Sequence, residues 1–169
     1  VEHLRDGDAL SIVTFGSRAE LLVPATRLEA GTRTKVKAAL RTMRASGTTD
    51  LAAGLRLGLA EAQKLRVADG INRMVLVGDG VPNDASQVPG LIAQAKQQAM
   101  PITTLGLGAE FDETLMAVIA RDSGGSFHFV DSAARVSKVF DEELGRMQRV
   151  AASNTRVQVT PGPGVEILE

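Results

Sequence analysis

Apolar and polar positions follow two alternating periods along the chain. The short unbroken apolar runs ALSIVTF (Ala9 to Phe15) and MVLVGD (Met74 to Asp79) are bounded by glycine and aspartate, the pattern of strands buried on both faces of a parallel sheet. ITTLGLG (Ile102 to Gly108) and SFHFV (Ser126 to Val130) repeat it more weakly. Between these runs the apolar residues recur every three or four positions. Val36, Leu40 and Met43 predict a helix over Thr34 to Ala45, with Gly47 placed to end it. Leu51, Leu55, Leu59, Ala62 and Leu65 stripe Asp50 to Arg66, and Leu91, Ile92 and Ala95 stripe Val88 to Ala99, closed by Pro101. Asp112 reads as the N-cap of a helix that carries Leu115, Met116 and Ile119 and stops at Gly124-Gly125. Val136, Val139, Phe140, Leu144 and Met147 predict a last helix from Ala133 to about Ala151.

Strand-helix alternation of this kind predicts an α/β fold, a three-layer α/β/α Rossmann-like sandwich on a mostly parallel sheet. AELLVPATRL (Ala19 to Leu28) follows the first strand after only Gly-Ser-Arg, too short for a crossover helix. It is therefore expected to be the one antiparallel edge strand, a position that suits Pro24. The composition shifts near the end. Residues 1–152 read as one domain, and residues 153–169, with Pro-Gly-Pro-Gly and alternating valines, as a linker or the first strand of a following domain.

Composition removes several functions. The 19 basic and 20 acidic residues leave a formal charge of -1, so there is no basic field for nucleic acid. With no Trp or Tyr, stacking on bases or sugars is not expected, and the core must be aliphatic. The absence of cysteine excludes a disulfide framework and thiolate chemistry and leaves the compartment open. No apolar run approaches the roughly 18 residues that a membrane span needs, so direct membrane insertion is not expected.

Ligands of open α/β sheets bind beyond the carboxyl ends of the strands, which is where Asp79 stands. Two segments offer oxygen atoms there. SGTTDLAAGLRLGL (Ser46 to Leu59) brings Thr48 and Thr49 to a small polar loop before a helix whose Ala53, Gly54 and Gly58 permit close packing. GDGVPN places Asp79 between two glycines ahead of a turn. Singly, a capping hydroxyl and a turn-forming carboxylate explain Thr49 and Asp79.

Taken in order, GDALSIVTF, the edge strand, SGTTDLAAGL, MVLVGDGVPN, ITTLGLG and GGSFHFV resemble the von Willebrand factor A domain in its bacterial form, from the start of the chain to about residue 152. The resemblance implies a protein-interaction or adhesion module, not an enzyme. Such a module binds an acidic residue of a protein partner through a divalent cation at a metal-ion-dependent adhesion site. The cation is usually Mg²⁺, with Mn²⁺ or Ca²⁺ as substitutes. By resemblance, Thr49 and Asp79 are metal ligands supplied by the second and third loops of that site. Mg²⁺ favours about six hard oxygen ligands and keeps waters readily, so hydroxyls and few carboxylates leave a position for a partner's carboxylate.

The family's Asp-x-Ser-x-Ser loop has no match, and Gly78 stands where threonine is more usual. VEHLRDGD resembles the tail of the family's first helix, so the resemblance implies an N-terminally truncated domain without the central strand. Two open sheet edges, poor folding in isolation and weak residual metal affinity are the expectations, with TRVQV (Thr155 to Val159) as the spare segment for the gap.

Other readings compete with this one. A metal-independent scaffolding domain of a larger multidomain protein is the first. A haloacid-dehalogenase-like phosphotransferase would use Asp79 and Asp84 of GDGVPND, but it needs Asp-x-Asp after an apolar strand. The Asp6/Asp8 pair follows the polar VEHLR instead, and Lys64 lies mid-helix. GLGAEF (Gly106 to Phe111) is a poor dinucleotide fingerprint without a third glycine. His3 is expected on a solvated helix and His128 at an outward-facing strand position. The cationic stretch from Arg27 to Arg44 reads as a solvated helix or as a surface for an anionic partner.

Overall fold

A computed structural model describes residues 1–147 except His3, Ala45, Ser46, Asp69, Ala109 and Ser132. The elements run β1 (Ala9–Phe15), β2 (Ala19–Arg27), α1 (Ala30–Leu40), α2 (Leu51–Lys64), β3 (Met74–Gly78), α3 (Val88–Gln97), β4 (Ile102–Leu107), α4 (Glu113–Ser123), β5 (Phe127–Val130) and α5 (Ala133–Met147). His3, the segment TRVQV and the expected end of the last helix at Ala151 lie outside the described residues.

Caps set the helix ends. The Asp50 carboxylate accepts the Ala53 N–H at 2.9 Å to start α2, and Asp112 accepts Leu115 N–H at 2.9 Å to start α4. Gly124, at φ 86°, ends α4 in the left-handed conformation. Helix α1 departs from its apolar stripe. It begins at Ala30 rather than Thr34, because the Thr32 hydroxyl accepts the Glu29 N–H at 2.7 Å, and it ends before Met43, which is left exposed.

β3, β4 and β5 form a parallel sheet in the order β3-β4-β5, while β1 and β2 form a separate antiparallel pair. Among the described residues no ladder joins β1 to β3. The pleat assigns the two faces of the parallel sheet. Leu76, Ile102 and Thr104 face α2, α3 and α4, where the Thr104 hydroxyl donates to the Met116 carbonyl at 2.9 Å. Thr103 and His128 face α5 instead, and the structure is thus a three-layer sandwich.

His128 is a correction to the sequence reading. Its Nε2 lies 3.0 Å from Oε1 of the buried Glu143, and Thr103 Oγ1 donates to the same carboxylate at 3.4 Å. Alternation along β5 placed His128 opposite Phe127 and Phe129, as expected, but α5 covers the histidine's face, and Phe129 is the residue left half exposed.

Apolar burial divides into two clusters. The larger contains Leu55, Leu59, Leu76, Ile102 and Ile119, and the smaller contains Val23, Leu28 and Val36. Helix α2 also reaches the β1–β2 pair, through Glu61. Its buried carboxylate accepts the Ala25 N–H at 3.1 Å, just past Pro24 where β2 departs from regular pairing, and holds the Lys64 ammonium. Lys64, and then the Ala25 N–H, hold the Glu61 carboxyl below its ordinary value of 4.5. A lowered folded-state value means that the stability from Glu61 is full above that ordinary value and fades as pH falls through the lowered one. Glu61→Gln is therefore expected to flatten the acid side of the stability curve. Urea midpoints for the two proteins should differ most at neutral pH and converge on acidification, and a constant difference would contradict this.

Candidate metal centre

Asp79 is the first residue past β3, exposed at the carboxyl end of the parallel sheet. Thr49 is half-buried in the loop before α2, next to the Asp50 cap. The two loops are joined directly, since Asn83 N–H donates to the Thr49 carbonyl at 3.1 Å. Gly80, beside Asp79, lies so close to Thr49 that a Cβ there would stand 3.1 Å from the Thr49 hydroxyl oxygen. The glycine keeps that hydroxyl uncovered. A cavity of about 10 Å³, the size of one water molecule, is lined here by Phe15, Thr49, Gly78, Gly80, Asp112 and Met116.

A third loop converges on the same place. Asp50 N–H donates to the Gly16 carbonyl at 2.7 Å, and the Ser17 hydroxyl accepts the Thr48 N–H at 3.1 Å and lies 3.2 Å from the Thr48 hydroxyl. Gly47 permits this contact. It has φ 74°, and a Cβ on it would fall 2.2 Å from Ser17 Oγ. Ser17 was not expected from the sequence; a hydroxyl in a three-residue connection carries no pattern, and only its place just after a strand's carboxyl end pointed to it. Asp112 was expected as a cap but not as a wall of this cavity.

These donors fit a hard cation. A hydroxyl and a carboxylate on adjoining loops could supply two of the roughly six oxygens that Mg²⁺ takes. Among the described residues no group of three or more His, Cys, Asp or Glu could hold a metal. A cation here would take its other ligands from hydroxyls, waters, further parts of the protein or a partner.

Against known families, residues 1–142 match the von Willebrand factor type A domain. The chain belongs to this family. It is 26% identical over 168 residues to "Uncharacterized protein YfbK" of Escherichia coli (strain K12), a match that covers 96% of this chain and 29% of YfbK. The chain thus spans under a third of that relative's length. The solved "von Willebrand factor type A from Catenulispora acidiphila" superposes with a TM-score of 0.74 at 20% identity, over 86% of this chain and 35% of that one. The proximal thread matrix protein 1 from the mussel byssus "with zinc occupied MIDAS motif" superposes with a TM-score of 0.63 at 20% identity, over 79% of this chain and 33% of that one. At these identities the solved structures show the fold alone.

VWA domains commonly serve as protein-interaction modules, and the geometry of this one disfavours the competing chemistries. For phosphotransfer, Asp6 and Asp8 would have to meet Asp79. They precede β1, whereas Asp79 follows β3 at the end where Phe15 closes β1, so roughly the length of a seven-residue strand, about 20 Å, separates them. Asp6 is also bound by the Arg33 guanidinium at 2.8 Å, and Asp8 accepts the Arg5 N–H at 2.7 Å. Asp84 is occupied with the Ser86 N–H at 2.8 Å and the Ser86 hydroxyl at 3.0 Å, which hold its carboxyl below the usual aspartate value. For nucleotide binding, Gly106 is explained by packing, because a Cβ there would lie 2.2 Å from the Phe111 ring. No helix among the described residues is long and apolar enough to cross a membrane.

Proposed function

We propose that this VWA domain is a protein-binding module in which Thr49 and Asp79 hold a divalent cation that captures an aspartate or glutamate of a partner. The observation that carries this reading is the uncovered Thr49 hydroxyl beside Gly80, in a loop hydrogen-bonded to the Asp79 loop. When bound, the cation supplies a Lewis-acidic anchor for the partner's carboxylate. Thr49 and Asp79 would orient it, Gly80 would leave it room, and the Gly47-to-Ser17 contact would fix the outer wall. Hydroxyl and carboxylate oxygens favour Mg²⁺, with Mn²⁺ or Ca²⁺ as substitutes.

The unjoined edges of β1 and β3 support a further part of the proposal, in which residues 1–152 form most of a domain whose central strand lies between those edges in the full-length protein. Each backbone group that such a strand pairs avoids a desolvation cost of about 1–3 kcal/mol.

The test uses the full-length protein. Mn²⁺ binding is followed by water proton relaxation, and a short aspartate-containing peptide is then added with and without EDTA. Peptide binding that requires Mn²⁺ is expected. Equal binding in EDTA would overturn the proposal and favour metal-independent scaffolding.

A further inference from the structure

We propose that the groove between β2 and α1 is a second, metal-independent docking surface for a protein segment in which aliphatic residues alternate with aspartate or glutamate. The groove has a volume of about 230 Å³, with Leu22, Pro24, Val36 and Ala39 forming its apolar wall and Lys35 at its rim. Ala39 is too small to fill the space that Val36 and Pro24 bound.

Charge selects the occupant. Elsewhere on α1 the cations are matched, Arg33 by Asp6 at 2.8 Å and Lys37 by Glu2. Lys35, the cation that lines the groove, has no such partner among the described residues. An aliphatic trough with an unmatched ammonium at its edge complements a side chain pair of one apolar and one acidic residue.

Size and charge layout separate a peptide from the other candidates. Small-molecule pockets run to roughly 300–1,000 Å³, so this groove suits side chains that enter from a longer ligand. An anionic membrane would need a broad basic face, whereas Glu2 and Asp6 neutralise one flank of α1. The β2 edge itself is blunted, because Pro24 lacks an N–H, Glu61 takes the Ala25 N–H and the Thr32 hydroxyl donates to the Arg27 carbonyl. Side-chain docking is therefore favoured over strand addition.

The experiment follows fluorescence anisotropy of a short labelled peptide of alternating leucine and glutamate with the full-length protein in EDTA, so that its failure is separate from failure of the metal site. Binding is expected to persist in EDTA, to weaken about tenfold in Lys35→Glu and to survive in Lys35→Arg, with no binding of the leucine-lysine counterpart. Lys35 is exposed, so these variants leave the fold intact. Absence of binding, loss of binding in EDTA, equal affinity in Lys35→Glu, or preference for anionic vesicles over the peptide would each overturn the proposal.

Discussion

Replacing Asp79 by alanine in the full-length protein is expected to lower divalent-cation affinity by at least about 100-fold, since even the residues that support a metal ligand are worth about 10–100-fold. The carboxylate is exposed and has no hydrogen-bond or ion-pair partner among the described residues, so no structural bond is lost with it. Metal-free stability should accordingly move by no more than about 0.5 kcal/mol. Calorimetric titration with Mg²⁺ and Mn²⁺, paired with a urea denaturation curve in EDTA, reads both quantities. An unchanged affinity would remove Asp79 from the site. A large loss of metal-free stability would instead give it the turn-forming role that its position before Gly80 also allows.

Gly125→Ala is expected to cost about 3 kcal/mol or more, the upper end for an overpacked core position. A Cβ at Gly125 would lie 2.1 Å from the carbonyl oxygen of Ile102, 2.4 Å from its carbon and 2.9 Å from the Thr103 nitrogen, all backbone atoms of β4. None of them can turn aside as a side-chain tip can. The surroundings are also bound tightly: Gly125 N–H donates to the Ala120 carbonyl at 2.8 Å, and the Ser123 hydroxyl accepts the Ile102 N–H at 3.0 Å. Relief would require α4 and β4 to separate where Ile102 and Thr103 are almost fully buried. A shift of the urea midpoint equivalent to less than about 1 kcal/mol would show that the backbone yields more readily than this packing implies.

Strand-helix order, the Asp112 cap and the antiparallel hairpin were legible in the sequence because each rests on a local signal: a run, a period, or one residue before a helix. Thr49 and Asp79 were legible as a pair only through the resemblance, since each alone is an ordinary cap or turn residue. What escaped depends on which surface a neighbouring element covers. His128 has the alternation of an outward position, and only the seating of α5 turns that face inward. The start of α1 was misplaced because a Thr32 side chain, not an apolar stripe, begins it. Gly125 gave the end of a helix but not the close approach to β4, which is set by residues twenty-odd positions earlier.

The segment carrying Thr49 is tied on one side to the β1 hairpin, through Asp50 and Gly16 at 2.7 Å, and on the other to the loop after β3, through Asn83 at 3.1 Å. With no strand ladder joining β1 to β3 among the described residues, these two adjacent residues act as a tie rod between the halves at this end of the molecule. Helix α2, which follows directly, is a second link, since its Glu61 accepts the Ala25 N–H of β2 at 3.1 Å while Leu55 and Leu59 sit in the larger core cluster. In the proposed reading, the short segment that offers a hydroxyl to the cation is thus also one that holds the two groups of strands together at this end.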